Sequence, residues 1–187
     1  IWDDKKNAAA AAGTEVHEFA EACCLFWPGK EAEIPEKYRD RILPEGFAAS
    51  SPKEEAVVQW WNDLDHERHL VVECECRLVN PVLGYAGTFD LLLYDIVDKI
   101  FMLKDYKTNE DLKKWYGSYM KAPFTFLKNS DLGKYTMQQN MYGLQLDNIG
   151  IPTRQMDLIG LKSDGTYEEV PLEDKYRKAI SIHLTNR

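Results

Sequence analysis

Apolar residues recur along this chain with two periods, and the switches between the periods divide it into helices and strands. An alanine run, Ala8 to Ala12, leads into Gly13-Thr14-Glu15-Val16-His17-Glu18-Phe19-Ala20-Glu21, which predicts a helix over residues 5–26 closed by Pro28-Gly29. Residues 28–50 mix proline, glycine and charge and predict a surface connection. Ser51-Pro52-Lys53-Glu54 offers an N-cap, a first-turn proline and a capping-box glutamate, so a second helix is expected to run to about Leu64 with at least one of Trp60 and Trp61 buried. Three strand-like runs follow over 69–79, 84–95 and 99–107, parted by Asn80-Pro81 and an Asp95 to Lys99 turn, and they predict a meander. Beyond it come a helix near 109–120, a loop over 121–131 and a helix carrying Gln138. Strands near 153–162 and 166–170, joined by Ser163-Asp164-Gly165, and a short helix from Leu172 to about Ser181 complete the chain. The order implies an α/β fold. At 187 residues and 44% hydrophobic, the chain can bury one sizeable core, and one domain over 1–187 is expected.

Acidic residues break the apolar pattern in two of the predicted strands. In Gly87-Thr88-Phe89-Asp90-Leu91-Leu92-Leu93, and again in Phe101-Met102-Leu103-Lys104-Asp105-Tyr106-Lys107-Thr108, a carboxylate sits where both faces of the strand are covered. An ionised carboxylate there is costly unless it meets a metal or a cation. Strand alternation sends Asp105 and Lys107 to one face and Tyr106 to the other, so a carboxylate and an ammonium share a pocket. Phosphodiester hydrolysis calls for that pair: carboxylates to hold Mg²⁺ or Mn²⁺, and a lysine to position water and offset charge on the phosphate. The plainer alternative makes Asp90 a turn cap and Asp105-x-Lys107 a solvated edge. Two helices bear on the choice. Gly13, His17 and Glu21 fall on one stripe of the first, placing an imidazole one turn after a residue without a side chain, a gap through which another element can approach. Gln138 and Tyr142 fall one turn apart on the later helix.

In chain order, Gly13-x-x-x-His17, Gly87-Thr88-x-Asp90, Asp105-x-Lys107 and Gln138-x-x-x-Tyr142 resemble the motif series of the RecB-type branch of the PD-(D/E)XK nuclease superfamily, over about 130 of the 187 residues. Asp105 stands where many members have Glu, a variant known in that branch. The resemblance implies a PD-(D/E)XK restriction-endonuclease-like core, a mixed central β-sheet flanked by helices, with the motifs between about residues 8 and 146. It also implies that Asp90, Asp105, the Tyr106 backbone carbonyl and His17 hold the metal, that Lys107 contacts the attacking water and phosphate, and that Gln138 and Tyr142 brace the site or touch the DNA backbone. Glu73 resembles an accessory acid on the preceding strand; Glu75 shares its face, and the two stay unassigned. Family members carry further residues before the His17 helix, so the resemblance implies a segment ahead of Ile1. It implies a DNA exonuclease of recombination, repair or phage replication, with endonuclease or RNA-directed action compatible with the same spacing. A catalytically silent nuclease-fold module that binds DNA or protein, and a hydrolase of small phosphoesters, are the rivals.

Charge refines the partner. The net value of −8 disfavours a polyanion, but it is unevenly spread. Residues 1–75 hold 17 acids against 8 bases, whereas residues 101–135 hold 7 lysines against 4 acids. Lys113, Lys114, Lys121 and Lys128, with Phe124 and Phe126 beside Pro123, are the expected nucleic-acid contacts; Trp115 and Tyr119 are expected to pack in the core. The acidic first half also suits a basic protein partner. Some RecB-type relatives carry a four-cysteine iron-sulfur cluster, with three cysteines near the C-terminus. Cys23, Cys24, Cys74 and Cys76 all precede Asp90 and none has C-x-x-C spacing, so buried free thiols and no cluster are expected. No run is long and apolar enough for a membrane span and no leader pattern opens the chain, which predicts a cytoplasmic protein of a bacterial or phage-infected cell.

Overall fold

The computed structural model describes residues 2–44, 46–82 and 84–185, with side chains from residue 11 onward. The chain runs through α1 (Trp2–Phe26), a 3-10 turn (Glu31–Glu33), α2 (Glu36–Arg39), β1 (Ile42–Leu43), β2 (Gly46–Phe47) and α3 (Pro52–Asp63). It continues through β3 (His69–Asn80), β4 (Tyr85–Asp95), β5 (Ile100–Lys107), β6 (Trp115–Tyr119), β7 (Lys128–Ser130) and α4 (Asp131–Asn148). Strands β8 (Thr153–Leu161) and β9 (Tyr167–Pro171) and helix α5 (Arg177–Thr185) follow. Five strands form a mixed sheet in the order β3-β4-β5-β8-β9. The β3-β4-β5 meander and the β8-β9 hairpin are antiparallel, and β5 and β8 pair in parallel across the α4 crossover.

Each face of the sheet has its own core. On one, Val16, Phe19, Ala20 and Cys23 of α1, at helical spacing, join Ala56, Val57, Trp60 and Trp61 of α3 against Leu91, Leu93, Met102 and Tyr106. On the other, Tyr142 and Leu146 of α4 cover Leu78, Phe89, Leu92, Leu103 and Met156. The ends of α3 follow the predicted chemistry. The Ser51 hydroxyl accepts the Glu54 N–H at 3.3 Å, and the Glu54 carboxylate, bound by Arg41 at 2.6 Å, turns back to the Ser50 N–H at 2.6 Å. Both tryptophans are buried.

Three stretches depart from the sequence-based expectation. Residues 28–50 are not simply a surface connection, because Ile34, Tyr38 and Phe47 are buried and the rings of Tyr38 and Phe47 meet the edge of Phe19. Residues 109–120 hold no helix. Asp111 accepts the Lys113 N–H in a local turn that competes with helix formation, and the aromatic run after it becomes β6. A spacing of four, as in Trp115 and Tyr119, keeps two residues on one face of a helix or of a strand, so it does not separate the two. Gly117, at φ 75°, takes the left-handed conformation that glycine adopts without penalty and reinforces the break. The last helix begins later than expected, at Arg177, whose guanidinium is held by Asp147 at 2.7 Å and by the Thr153 carbonyl at 2.9 Å.

Candidate active site

Divergence of two strands opens the site. The β4–β5 ladder ends at Leu91 opposite Lys104, and Asp90 and Asp105 lie just past that rung. There the Tyr106 N–H donates to Asp90 Oδ2 at 2.7 Å, so the carboxylate takes up a backbone donor that the neighbouring strand has left. Strand β3 bends at the same level. Cys74 and its partner Leu91 join the α1 face, whereas Cys76 and its partner Phe89 join the α4 face, although residues two apart in a strand normally share a face. Between them Glu75 has φ 46°, a left-handed conformation disfavoured for a residue with a side chain. A register shift between Val71 and Glu73 precedes the bend. Glu73 is consequently exposed, accepting the Cys74 N–H, and Glu75 is the acid of β3 that turns toward Asp90.

Helix α1 supplies the imidazole. His17 Nδ1 lies 3.3 Å from Asp90 Oδ2, and one donor atom each from His17, Glu75 and Asp90 fall within 4.8 Å of one another. Burial, then the charge of Lys107, lowers the His17 pKa, which favours the neutral ring. Burial first, then Glu21 and Asp105, pushes Glu75 up to about 7. Burial first, then Asp105, raises Asp90 well above the usual carboxylate range, with Lys107 and the Tyr106 N–H opposing. Carboxyls crowded this closely gain from a divalent cation among them, and one imidazole with carboxylate oxygens suits Mn²⁺ or Mg²⁺. Gly13 plays a lesser part than its spacing suggests, because a Cβ there would meet Thr108 Oγ1 at an ordinary 3.6 Å.

The Asp105-x-Lys107 pair faces the same region. The Lys107 ammonium ion-pairs with the Asp105 carboxylate and lies 4.6 Å from the centre of the Tyr135 ring. Burial disfavours its charge, but Asp105 and Asp90 outweigh burial and hold its pKa above the ordinary lysine value, so it stays a cation at neutral pH. The other Asp105 oxygen accepts from Gln139 Nε2 at 2.8 Å. Gln139 was not singled out by sequence. The available signal is three polar residues, Gln138 to Asn140, crossing the covered face of a helix: a side chain with no exposure needs a buried partner. Gln138 itself donates to the Tyr142 hydroxyl at 3.0 Å, and the Tyr142 ring lies flush against Gly87, where a Cβ would approach it to 2.6 Å. Gly87→Ala is therefore expected to displace the ring, break the Gln138–Tyr142 bond and cost about 1–3 kcal/mol, read as a lower urea midpoint.

No protein-family model matches the chain, and no curated protein matches it. The fold has solved counterparts. One is a crystal structure described as "Putative exonuclease" from Eubacterium rectale, with a TM-score of 0.52 over 90% of this chain at 9% identity. This chain spans 63% of that one, less than two thirds of its length. The likeness is one of fold: a mixed sheet flanked by helices.

The basic segment is arranged otherwise than its sequence suggests. Lys104 is buried in β5, paired with Asp157 at 2.9 Å and Glu169 at 3.4 Å, and faces no surface. Lys113 is exposed but paired with Glu168 at 3.0 Å, and Lys114, Lys121 and Lys128 are exposed. Phe126 stacks on Tyr176 with ring centres 5.4 Å apart, and Phe124 meets His183 edge-on, so both phenylalanines have partners within the chain. Trp115 and Tyr119, expected in the core, are 50% and 55% exposed, while Tyr116 between them in sequence meets α4 through Asp131 and Lys134. The four cysteines are free thiols; Cys23 and Cys24 are buried, while Cys74 and Cys76, expected to be buried too, are half-buried because β3 is an edge strand. Among the described residues no helix is long and apolar enough to cross a membrane.

Proposed function

We propose that this chain is a single nuclease domain of the RecB-type PD-(D/E)XK branch, a metal-dependent DNA exonuclease that cuts phosphodiester bonds by direct attack of water. One observation carries the reading. His17, Glu75 and Asp90, from three separate elements, converge to within 4.8 Å beside the ion-paired Asp105 and Lys107. Asp90, Glu75, His17 and Asp105 would hold Mg²⁺ or Mn²⁺ together with the Tyr106 carbonyl, and the cation would supply polarisation of a water and of the phosphoryl oxygen.

The chain's own residues divide the remaining work. The Tyr106 N–H fixes one Asp90 oxygen, and Gln139 fixes one oxygen of Asp105. Lys107, a cation confined between Asp105 and the Tyr135 ring, orients the attacking water and offsets charge gathering on the phosphate oxygens. Gln138 and the buried Tyr142 form one bonded unit and suit a role in bracing the site.

The test is digestion of end-labelled linear duplex, linear single-stranded and covalently closed circular DNA with Mg²⁺, Mn²⁺ or EDTA, beside Asp90→Asn. Metal-dependent loss of linear DNA that spares the circle and vanishes in the variant is expected. Cutting of the circle would replace exonuclease by endonuclease. A folded protein that binds DNA and cleaves none of the three would be a silent binding module.

A further inference from the structure

The hairpin of β6 and β7 stands apart from the rest of the surface. All five residues of β6 are exposed, and three of them are aromatic, with Trp115, Tyr116 and Tyr119 each about half exposed. Trp115 and Tyr119 share a face with their rings edge-on at 6.1 Å, and Lys128 lies 5.6 Å from the centre of the Trp115 ring and opposite Tyr119 in the ladder. A solvent-facing strand this aromatic contributes little to any core, and apolar surface of this kind marks a place where something docks. Lys114, Lys121 and Lys128 are exposed cations of the same stretch of chain, and Lys128 stands on the hairpin itself.

The hairpin is also wired to the candidate active site. The Tyr116 hydroxyl donates to Asp131 at 2.9 Å, Asn109 donates to the same carboxylate at 3.0 Å, and the Tyr135 hydroxyl donates to Asn109 at 2.9 Å. The Tyr135 ring in turn faces the Lys107 ammonium. Three side chains, Asp131, Asn109 and Tyr135, thus link the hairpin's Tyr116 to Lys107.

We propose that the β6–β7 hairpin is a stacking platform for unpaired nucleotides, so that the substrate is the single-stranded end or overhang of DNA. Bases have a π-face for each exposed ring, and their phosphates match Lys114, Lys121 and Lys128; in a blunt duplex those faces are already stacked and closed to the rings. Placement beside Lys107 rests on the nuclease reading, whereas stacking itself does not.

Binding is measured in EDTA, where no cleavage intervenes, by fluorescence anisotropy of labelled oligothymidylate and of a blunt duplex of equal length. The oligothymidylate is expected to bind about tenfold or more tightly than the duplex, quenching tryptophan emission. Trp115→Ala and Tyr119→Ala should each weaken it about tenfold with the thermal melt unchanged, and Trp115→Phe should restore most of the loss. Equal affinity for duplex, or full affinity in Trp115→Ala, overturns the proposal. So does a concentration-dependent dimer in sedimentation that Trp115→Ala abolishes, which would make the hairpin a contact between copies. Strand preference without cleavage in any metal would instead keep the platform and overturn the nuclease.

Discussion

Lys107→Ala is expected to lose metal-dependent cleavage by about 100- to 1,000-fold, the scale on which preorganised electrostatic groups contribute. Two properties put the effect there. The ammonium is charged despite its burial, because Asp105 and Asp90 hold its proton, and its place is fixed by the Asp105 carboxylate and the Tyr135 ring. Truncation does a second kind of damage, leaving the buried Asp105 carboxylate with Gln139 but without its cation. Breaking a buried pair from one side costs about 3–5 kcal/mol, so the variant should also unfold at lower urea in EDTA. Lys107→Arg should restore stability better than rate, since a planar guanidinium fork cannot occupy the place of a compact ammonium. An active Lys107→Ala would remove the lysine from the chemistry altogether.

Stability and cleavage are expected to run in opposite directions with pH. Glu75 is pushed up from an ordinary 4.5 to about 7, and Asp90 is raised well above its ordinary 3.8, in both cases chiefly by burial and then by neighbouring carboxylates. Each folded-state carboxyl keeps its proton where the unfolded chain has already released it. The folded state therefore binds more protons between pH 4.5 and about 7, and this contribution, complete below the unfolded value, is lost as pH rises through that window. In EDTA the melting temperature should fall from about pH 5 to about pH 8. A divalent cation binds the deprotonated form and reverses the slope. At one hundred times its dissociation constant it adds about 2.7 kcal/mol, or roughly 5–10 °C for a chain of this length. Cleavage should climb over the same window as the ligands ionise. Glu75→Gln removes its part of the EDTA slope, and a slope indifferent to both metal and Glu75→Gln would detach these carboxyls from any cation.

The residues legible in sequence were those whose chemistry contradicts their surroundings. Asp90 and Asp105 stand in apolar runs, and the structure brings both together with His17 and Lys107. What escaped depended on geometry that residue types do not encode. Strict alternation puts Glu73 and Glu75 on one face, and a register shift plus one left-handed residue overrides it. Gln139 escaped because only the packed helix shows which of two adjacent glutamines points inward. Trp115 and Tyr119 escaped because an even spacing serves helix and strand alike, and only the turn at Asp111 decides between them. Lys104 shows that a local excess of lysine is not a basic surface when one of them lies under the sheet's own acids.

The bond from the Tyr106 amide to Asp90 gives the site a resident probe. Its proton sits 2.7 Å, donor to acceptor, from the carboxylate whose charge governs the cluster. In an isotope-labelled sample this one resonance would move as the carboxylate ionises and again as a cation arrives. Occupancy of the site can thus be followed from the backbone, with every side chain of the cluster left as it is.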